Sequence, residues 1–215
     1  MSNTVDLTSA LANTAASHIV LAPGAYYLSA ELNITRSVVL EAAVAGSVVL
    51  NAQASSSSQR RVLNINPGSS DIVQLIGLNI TGGYINTAGG VFVARGTVAI
   101  SSCTISGNRA EGGGGVYVSS GTVSITSSSI TGNTAFGTDS SGNSARGGGV
   151  IAHGGTVAIS SCTISGNTAG QVGSGGGVLV LGGSVTISSC TISGNSAYHV
   201  RAHPQKFPWP RWESC

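Results

Sequence analysis

The chain has 215 residues, long enough for one sizeable domain, and only 7% of them are charged, for a net charge of +2. A hydrophobic content of 41% and a positive mean hydropathy of +0.29 exclude the disordered class despite that low charge. The lack of any Lys/Arg run excludes an electrostatic nucleic-acid or anionic-membrane surface, and no window of about 18 uninterrupted apolar residues predicts a membrane span.

In chain order, the start "MSNTVDLTSALANTAAS" has neither a basic n-region nor an apolar h-region, so it does not read as a secretory signal. Either the chain is cytosolic or a leader is missing from this sequence. The stretch "VDLTSALANTAA" predicts a short helix, and residues 1–17 are expected to cap whatever follows. The next stretch, "IVLAPGAYYLSAELNIT", residues 19–35, begins the strand-forming region. Two sequons, Asn33-Ile-Thr and Asn79-Ile-Thr, favour secretion.

From residue 72 onward the chain repeats itself. "GTVAISSCTISGN" occupies residues 96–108 and returns at residues 155–167. "GTVSITSSSITGN" (121–133) and "GSVTISSCTISGN" (183–195) are close copies, and "IVQLIGLNITGG" (72–83) is a more diverged one. It sets Val73, Leu75, Leu78 and Ile80 against Val98, Ile100, Cys103 and Ile105. A second block, "GGVFV", "GGVYV", "GGVIA" and "GGVLV", recurs in step, with Val91, Val116, Val150 and Val178. Each of those valines lies six residues before a Thr or Ser (97, 122, 156, 184), which lies eleven before an Asn (108, 133, 167, 195). Only the interval from Asn to the next Val varies: eight, seventeen, then eleven residues. A constant cross-section with one tolerant corner is a solenoid's requirement.

Within each copy "TVAI", "CTIS" and "GVYV" alternate apolar and polar residues, the two-residue period of half-buried strands. Three short strands in about 25 residues close one turn, and identical turns stacked at about 4.8 Å pair as parallel strands. The expectation is an all-β parallel β-helix of about six to seven coils over residues 18–197. A lone coil cannot bury its inward side chains, so stacked neighbours must share the burial.

The paired signals "GGGV" and "ISGN" resemble the GGA[IV] and FxxN repeats of polymorphic-membrane-protein-like right-handed β-helices. Ile105, Ile130, Ile164 and Ile192 stand where that pattern has an aromatic. Residues 19–35 resemble the opening coil of pectin-lyase-like β-helices, in which a short helix first caps the barrel. The resemblance covers about residues 5–197. It implies a single-stranded right-handed β-helix, secreted or at a cell surface. That fold hosts lyases, hydrolases, adhesins and inert spacers, so the resemblance alone does not choose a function.

The candidate sites divide into columns and surfaces. Asn108, Asn133, Asn167 and Asn195 fall at one corner and predict a structural ladder. Cys103, Ser128, Cys162 and Cys190 form an inward column, read as buried small side chains. Cys162 and Cys190 lie close enough in adjacent coils to permit a disulfide, and no spacing points to zinc. The seven acids, Asp6, Glu31, Glu41, Asp71, Glu111, Asp139 and Glu213, do not stack at one level, and the only Lys is Lys206. The resemblance implies that lyases of this fold use clustered acids for Ca²⁺ with a Lys or Arg base, and that the hydrolases use neighbouring Asp residues. The chain is therefore expected not to be an enzyme and to need no cofactor or metal. Asp139 and Arg146 read as a surface pair, and His153 as an isolated surface histidine.

Two faces invite a partner. The hydroxyls of Thr104/Ser106, Ser129/Thr131, Thr163/Ser165 and Thr191/Ser193 form a regular ladder, about 7 Å apart along the strand and about 4.8 Å between coils. Such arrays resemble those of β-helical ice-binding proteins. Phe92, Tyr117, Ile151 and Leu179 are expected as an outward apolar stripe. The variable loops at its edge, residues 109–112, 134–146 and 168–174, bring Arg109, Asp139 and Arg146 beside it. The tail, residues 198–215, holds three of five Pro, both Trp and the only Lys. It reads as a truncation scar or an unusual tail in preference to a cap. Three functions follow: a structural or adhesive surface protein binding a protein or polysaccharide, an ice-binding protein, or a carbohydrate-active enzyme.

Overall fold

In the computed structural model, which describes residues 4–137, 146–170 and 173–198, the chain winds as a right-handed parallel β-helix behind one short helix. Each complete coil crosses four sheets. In one coil the first sheet takes Thr97–Ser101, the second Thr104–Ser106, the third Arg109–Gly112 and the fourth Val116–Val118. Among the described residues the sheets hold seven, seven, five and six strands, and every pairing between these strands is parallel.

The reading of three strands per coil is corrected to four. The third wall consists of strands as short as Thr134–Ala135 and Thr168–Ala169. Two residues are too few to show an alternating pattern. Their single inward residues, Ala110, Ala135 and Ala169, are fully buried, and the small side chain lets this wall come close to the axis.

Register follows the repeats. Ile105, Ile130, Ile164 and Ile192 pair in succession as one row. The first three are completely buried, whereas Ile192, in the last described coil, is 48% exposed. The diverged copy pairs as its letters align, Val73 with Val98, Leu75 with Ile100 and Ile80 with Ile105. Aliphatic rows from the first, second and fourth sheets fill the interior.

The corner between the first two sheets is made by Ser102, Ser127, Ser161 and Ser189, all left-handed, with φ of 53°, 47°, 54° and 52°. The next residue then turns inward and mends the ladder there. Cys103 N–H donates to Ser128 Oγ at 3.1 Å, Ser128 N–H to Cys162 Sγ at 3.4 Å, and Cys162 N–H to Cys190 Sγ at 3.4 Å. Cys103, Cys162 and Cys190 are free thiols. The column is structural: it needs a small side chain with an acceptor, which both Cys and Ser provide.

The first end of the helical stack is closed. Helix Thr4–Ala12 lays Leu7 and Ala10 on the first coil. Arg36 reaches across to that helix's last turn and donates to the carbonyls of Ala10 (3.3 Å), Leu11 (3.2 Å) and Asn13 (2.8 Å). Ala10 carbonyl also accepts from Asn13 N–H (3.2 Å) and Asn13 carbonyl from Ala16 N–H (3.1 Å), so the cation adds charge-assisted bonds at the helix's C-terminal end, where it meets the negative end of the dipole. The opposite end shows Val180, Leu181, Ile187 and Ile192 at 40–50% exposure.

Candidate binding surface

The outward side of the fourth sheet carries Phe92, Tyr117, Ile151 and Leu179 in one register column. Alternation forces this: their neighbours Val91, Val93, Val116 and Val118 are buried inside. The Phe92 and Tyr117 rings meet with centroids 5.7 Å apart, tilted by 41°. His153, two residues beyond Ile151 and exposed, stacks on Tyr117 at 6.0 Å with the planes 20° apart. Three rings from three successive coils thus form a row that runs obliquely over the fourth sheet, since Ile151 and not His153 is level with Tyr117.

Ile151 departs from the expected stripe. Its side chain points outward but is only 1% exposed. Tyr117 and Leu179 flank it in register, and the backbones of Gly112 and Gly147 lie against it. It supports the row from beneath rather than offering a contact surface. Leu179 and the two rings are half-buried.

Cations edge the row. Arg61 places its guanidinium 4.8 Å from the Phe92 ring centroid, and its Nε stands 3.0 Å from Glu31 Oε2. That contact is an ion pair without hydrogen-bond alignment, which leaves Arg61 Nε a buried donor with no acceptor. Burial raises the Tyr117 phenol above its ordinary pKa, and the nearby charge of Arg146 opposes the rise. On the adjoining third sheet Arg109 lies over two rings at once, 5.4 Å from Tyr84 and 5.3 Å from Phe136, which themselves stack at 4.7 Å. Among the described residues no carboxylate comes within ion-pair distance of Arg109 or Arg146.

Two open clefts follow the corner between the third and fourth sheets. One, of about 230 Å³, is lined by Asn86, Thr87, Glu111, Tyr117, Arg146 and His153 among others. The other, of about 530 Å³, is lined by Glu31, Arg60, Arg61 and Ile85. Ile85, Asn86 and Thr87 belong to the single strand Tyr84–Thr87, so one strand borders both clefts. The expected site residues Phe92, Tyr117, Arg109 and Arg146 therefore gather on one corner, whereas Asp139 lies outside the described residues. Glu31, Arg61, Tyr84, Glu111, Phe136 and His153 join them unforeseen.

The hydroxyl columns lie on the second sheet in strict register. Thr104, Ser129, Thr163 and Thr191 form one row, and Ser106, Thr131, Ser165 and Ser193 the other. They grade from half-buried to exposed toward the last coil.

Three acids already have partners of their own. Glu41 Oε2 pairs with His18 Nε2 at 2.8 Å, and Glu31 with Arg61. Asp71 accepts from Ser37 Oγ and from Gly68 N–H, each at 2.7 Å, and these bonds hold its carboxyl below the usual range. Among the described residues no three His, Cys, Asp or Glu side chains gather to hold a metal ion. No described helix is long and apolar enough to cross a membrane.

The family model for the right handed beta helix region matches residues 61–207, and the chain belongs to that family. No curated protein and no solved structure matches the chain.

Proposed function

We propose that the chain is a non-catalytic adhesive β-helix of a cell surface or secretion, and that it holds a polysaccharide along the corner between its third and fourth sheets. The row Phe92–Tyr117–His153 carries this reading. Sugar rings present apolar C–H faces that pack on aromatic faces. Arg61, Arg109 and Arg146 add planar donors for the hydroxyls and acidic groups around them. Coils repeat at about 4.8 Å, close to the length of one sugar residue, so a linear ligand running along the axis meets equivalent contacts in successive coils. The resemblance to pectin-lyase-like barrels and to polymorphic-membrane-protein-like repeats supports the same location and role.

The non-catalytic part of the reading rests on the acids. Glycoside cleavage by paired carboxylates needs two of them flanking one bond. Glu31, Glu41 and Asp71 are each committed to a partner of their own, which leaves Glu111 as the one acid lining the smaller, ring-floored cleft among the described residues. The test is a panel of neutral and uronate-bearing polysaccharides, with and without Ca²⁺, assayed for retention of the chain and for new reducing ends or unsaturated products. Retention without cleavage is expected. Cleavage, or retention by none of them, would overturn the proposal.

The register of the two hydroxyl rows favours a second reading, in which that flat face binds ice. A thermal hysteresis gap abolished by Thr131→Val and Thr163→Val would support it, and unaltered ice growth would end it.

A further inference from the structure

We infer that the cleft beside Arg61 is a subsite for an oxyanion, a carboxylate or sulfate group carried by the polysaccharide on the ring row. The polysaccharide half of this inference rests on the function proposed above, whereas the oxyanion half rests on Arg61. The Arg61 side chain is only 17% exposed, yet among the described residues it donates no hydrogen bond. A guanidinium so far removed from water ordinarily has its donors paired. Glu31 does not pair them. Its Oε2 stands 3.0 Å from Arg61 Nε without hydrogen-bond alignment, and its Oε1 accepts from Asn64 Nδ2 at 3.3 Å. Phe92 occupies one face of the guanidinium plane, with the ring centroid 4.8 Å away. Nε is buried, whereas the two Nη groups reach the surface of the cleft.

The cleft suits an anion in charge and in shape. It has a volume of about 530 Å³, and Arg60, Arg61 and Glu31 line it, so two guanidiniums face one carboxylate. The fold already uses the donors of Arg60. Its Nη1 donates to the carbonyls of Leu28 (3.2 Å) and Ala52 (2.5 Å), and its Nη2 to Ser58 Oγ. Arg60 thus fixes the wall and contributes charge, while Arg61 offers the free planar donors that match two oxygens of a carboxylate or sulfate. Arg109 and Arg146, on the same corner, are exposed, so water reaches their donors. The cleft also lies on the path of the ligand. Asn64 is level with Phe92, and Asn33 with Asn64, so the outward column runs on from ring to amide beside Arg61. A chain that lies on Tyr117 and Phe92 and extends by one more coil brings its next substituent to Arg61.

The Nε–H signal of Arg61 in a ¹H–¹⁵N spectrum of the full chain, assigned by its loss in Arg61→Lys, reads the site directly. Titration with sodium sulfate, and separately with sodium glucuronate, at ionic strength held constant with chloride, should shift that signal to saturation for at least one of the two. The anion that saturates it at lower concentration identifies the preferred group. Dextran, carboxymethyl dextran and dextran sulfate then share one backbone and differ in charge. A charged form should bind at least about tenfold more tightly than dextran, and Arg61→Lys, which keeps the charge but not the planar donors, should erase most of that difference. Tyr117→Ala should weaken all three alike. A shift that saturates with neither anion overturns the inference and leaves the Arg61 donors to water. So does a preference for charged dextran that survives Arg61→Lys, which assigns it to the general field of the corner. Erasure by Arg61→Lys with no effect of Tyr117→Ala upholds the oxyanion subsite and overturns the ring row instead.

Discussion

Asn133 Oδ1 accepts two hydrogen bonds from Asn108, one from the backbone N–H and one from Nδ2, both at 3.1 Å. The same amide donates from Nδ2 to Ile105 carbonyl at 2.9 Å. The pattern repeats upward through Asn167 and Asn195 and downward to Gly83 N–H. Each buried amide therefore supplies, at a corner, the bonds that a strand would otherwise make. Asn133→Ala strands the Asn108 N–H away from water and takes one of two donors from the Ile105 carbonyl, whose parallel-strand bond from Thr131 remains. At about 1–3 kcal/mol for an orphaned buried group, the expected loss is about 2 kcal/mol. A urea titration should show the midpoint falling with its slope unchanged. A midpoint shift within error would show that the ladder is ornamental.

Gly115 explains why the "GGGV" and "SGN" signals travel together. A Cβ on Gly115 would lie 2.6 Å from Gly149 carbonyl O and 3.0 Å from Asn133 Nδ2. The glycine column thus leaves the room that the asparagine ladder occupies. Gly115→Ala should destabilise at least as much as Asn133→Ala. The double substitution should cost less than the two singles added together, since both disrupt one contact. Strict additivity in the same titration would separate the two columns.

Arg36 fastens the cap helix through the carbonyls of Ala10, Leu11 and Asn13. Arg36→Ala should remove about 2 kcal/mol, the scale of charge-assisted bonds to buried or half-buried carbonyls. The loss should be local: amide exchange should speed up across Thr4–Ala12 and stay unchanged at Thr122–Thr126. Equal acceleration at both places would contradict a local cap.

Burial raises the Cys103 thiol from about 9 to about 11. The folded state holds this proton more tightly than the unfolded state does. The associated stability is therefore complete below pH 9 and is lost as pH climbs toward 11. Desolvation raises Cys162 in the same direction. Cys103→Ser places at this corner the residue that Ser128 already is one coil above. It should be nearly neutral at pH 7 and should flatten the alkaline decline by about 3 kcal/mol. An undiminished decline in the Ser variant would refute the assignment.

How much was legible depended on how closely the coils copy one another. The interior row through Ile105, Ile130 and Ile164, the asparagine ladder and the hydroxyl columns followed from letters at fixed intervals, because equal intervals become vertical stacks. The third sheet escaped because Thr134–Ala135 and Thr168–Ala169 are too short for periodicity. Phe92 and Tyr117 were legible by alternation. Arg61 was not, because it sits in a diverged coil where no repeat aligns it with Phe92. Tyr84 and Phe136 meet across the coil that contains Arg109, a contact between long side chains that strand register does not specify. Ile151 was misread as exposed because its cover is backbone, Gly112 and Gly147, which carries no side-chain signal.

Whether the ring row binds a glycan is tested most directly by affinity for the polysaccharide that retains the chain. Tyr117→Ala, Arg146→Ala and a hydroxyl-face control, Thr131→Val, should be titrated side by side with the unmodified protein. The account predicts at least about a tenfold weakening for Tyr117→Ala, the loss of about 1.4 kcal/mol of ring contact, a smaller loss for Arg146→Ala, and none for Thr131→Val. Unchanged affinity in Tyr117→Ala, or a loss confined to Thr131→Val, would contradict it.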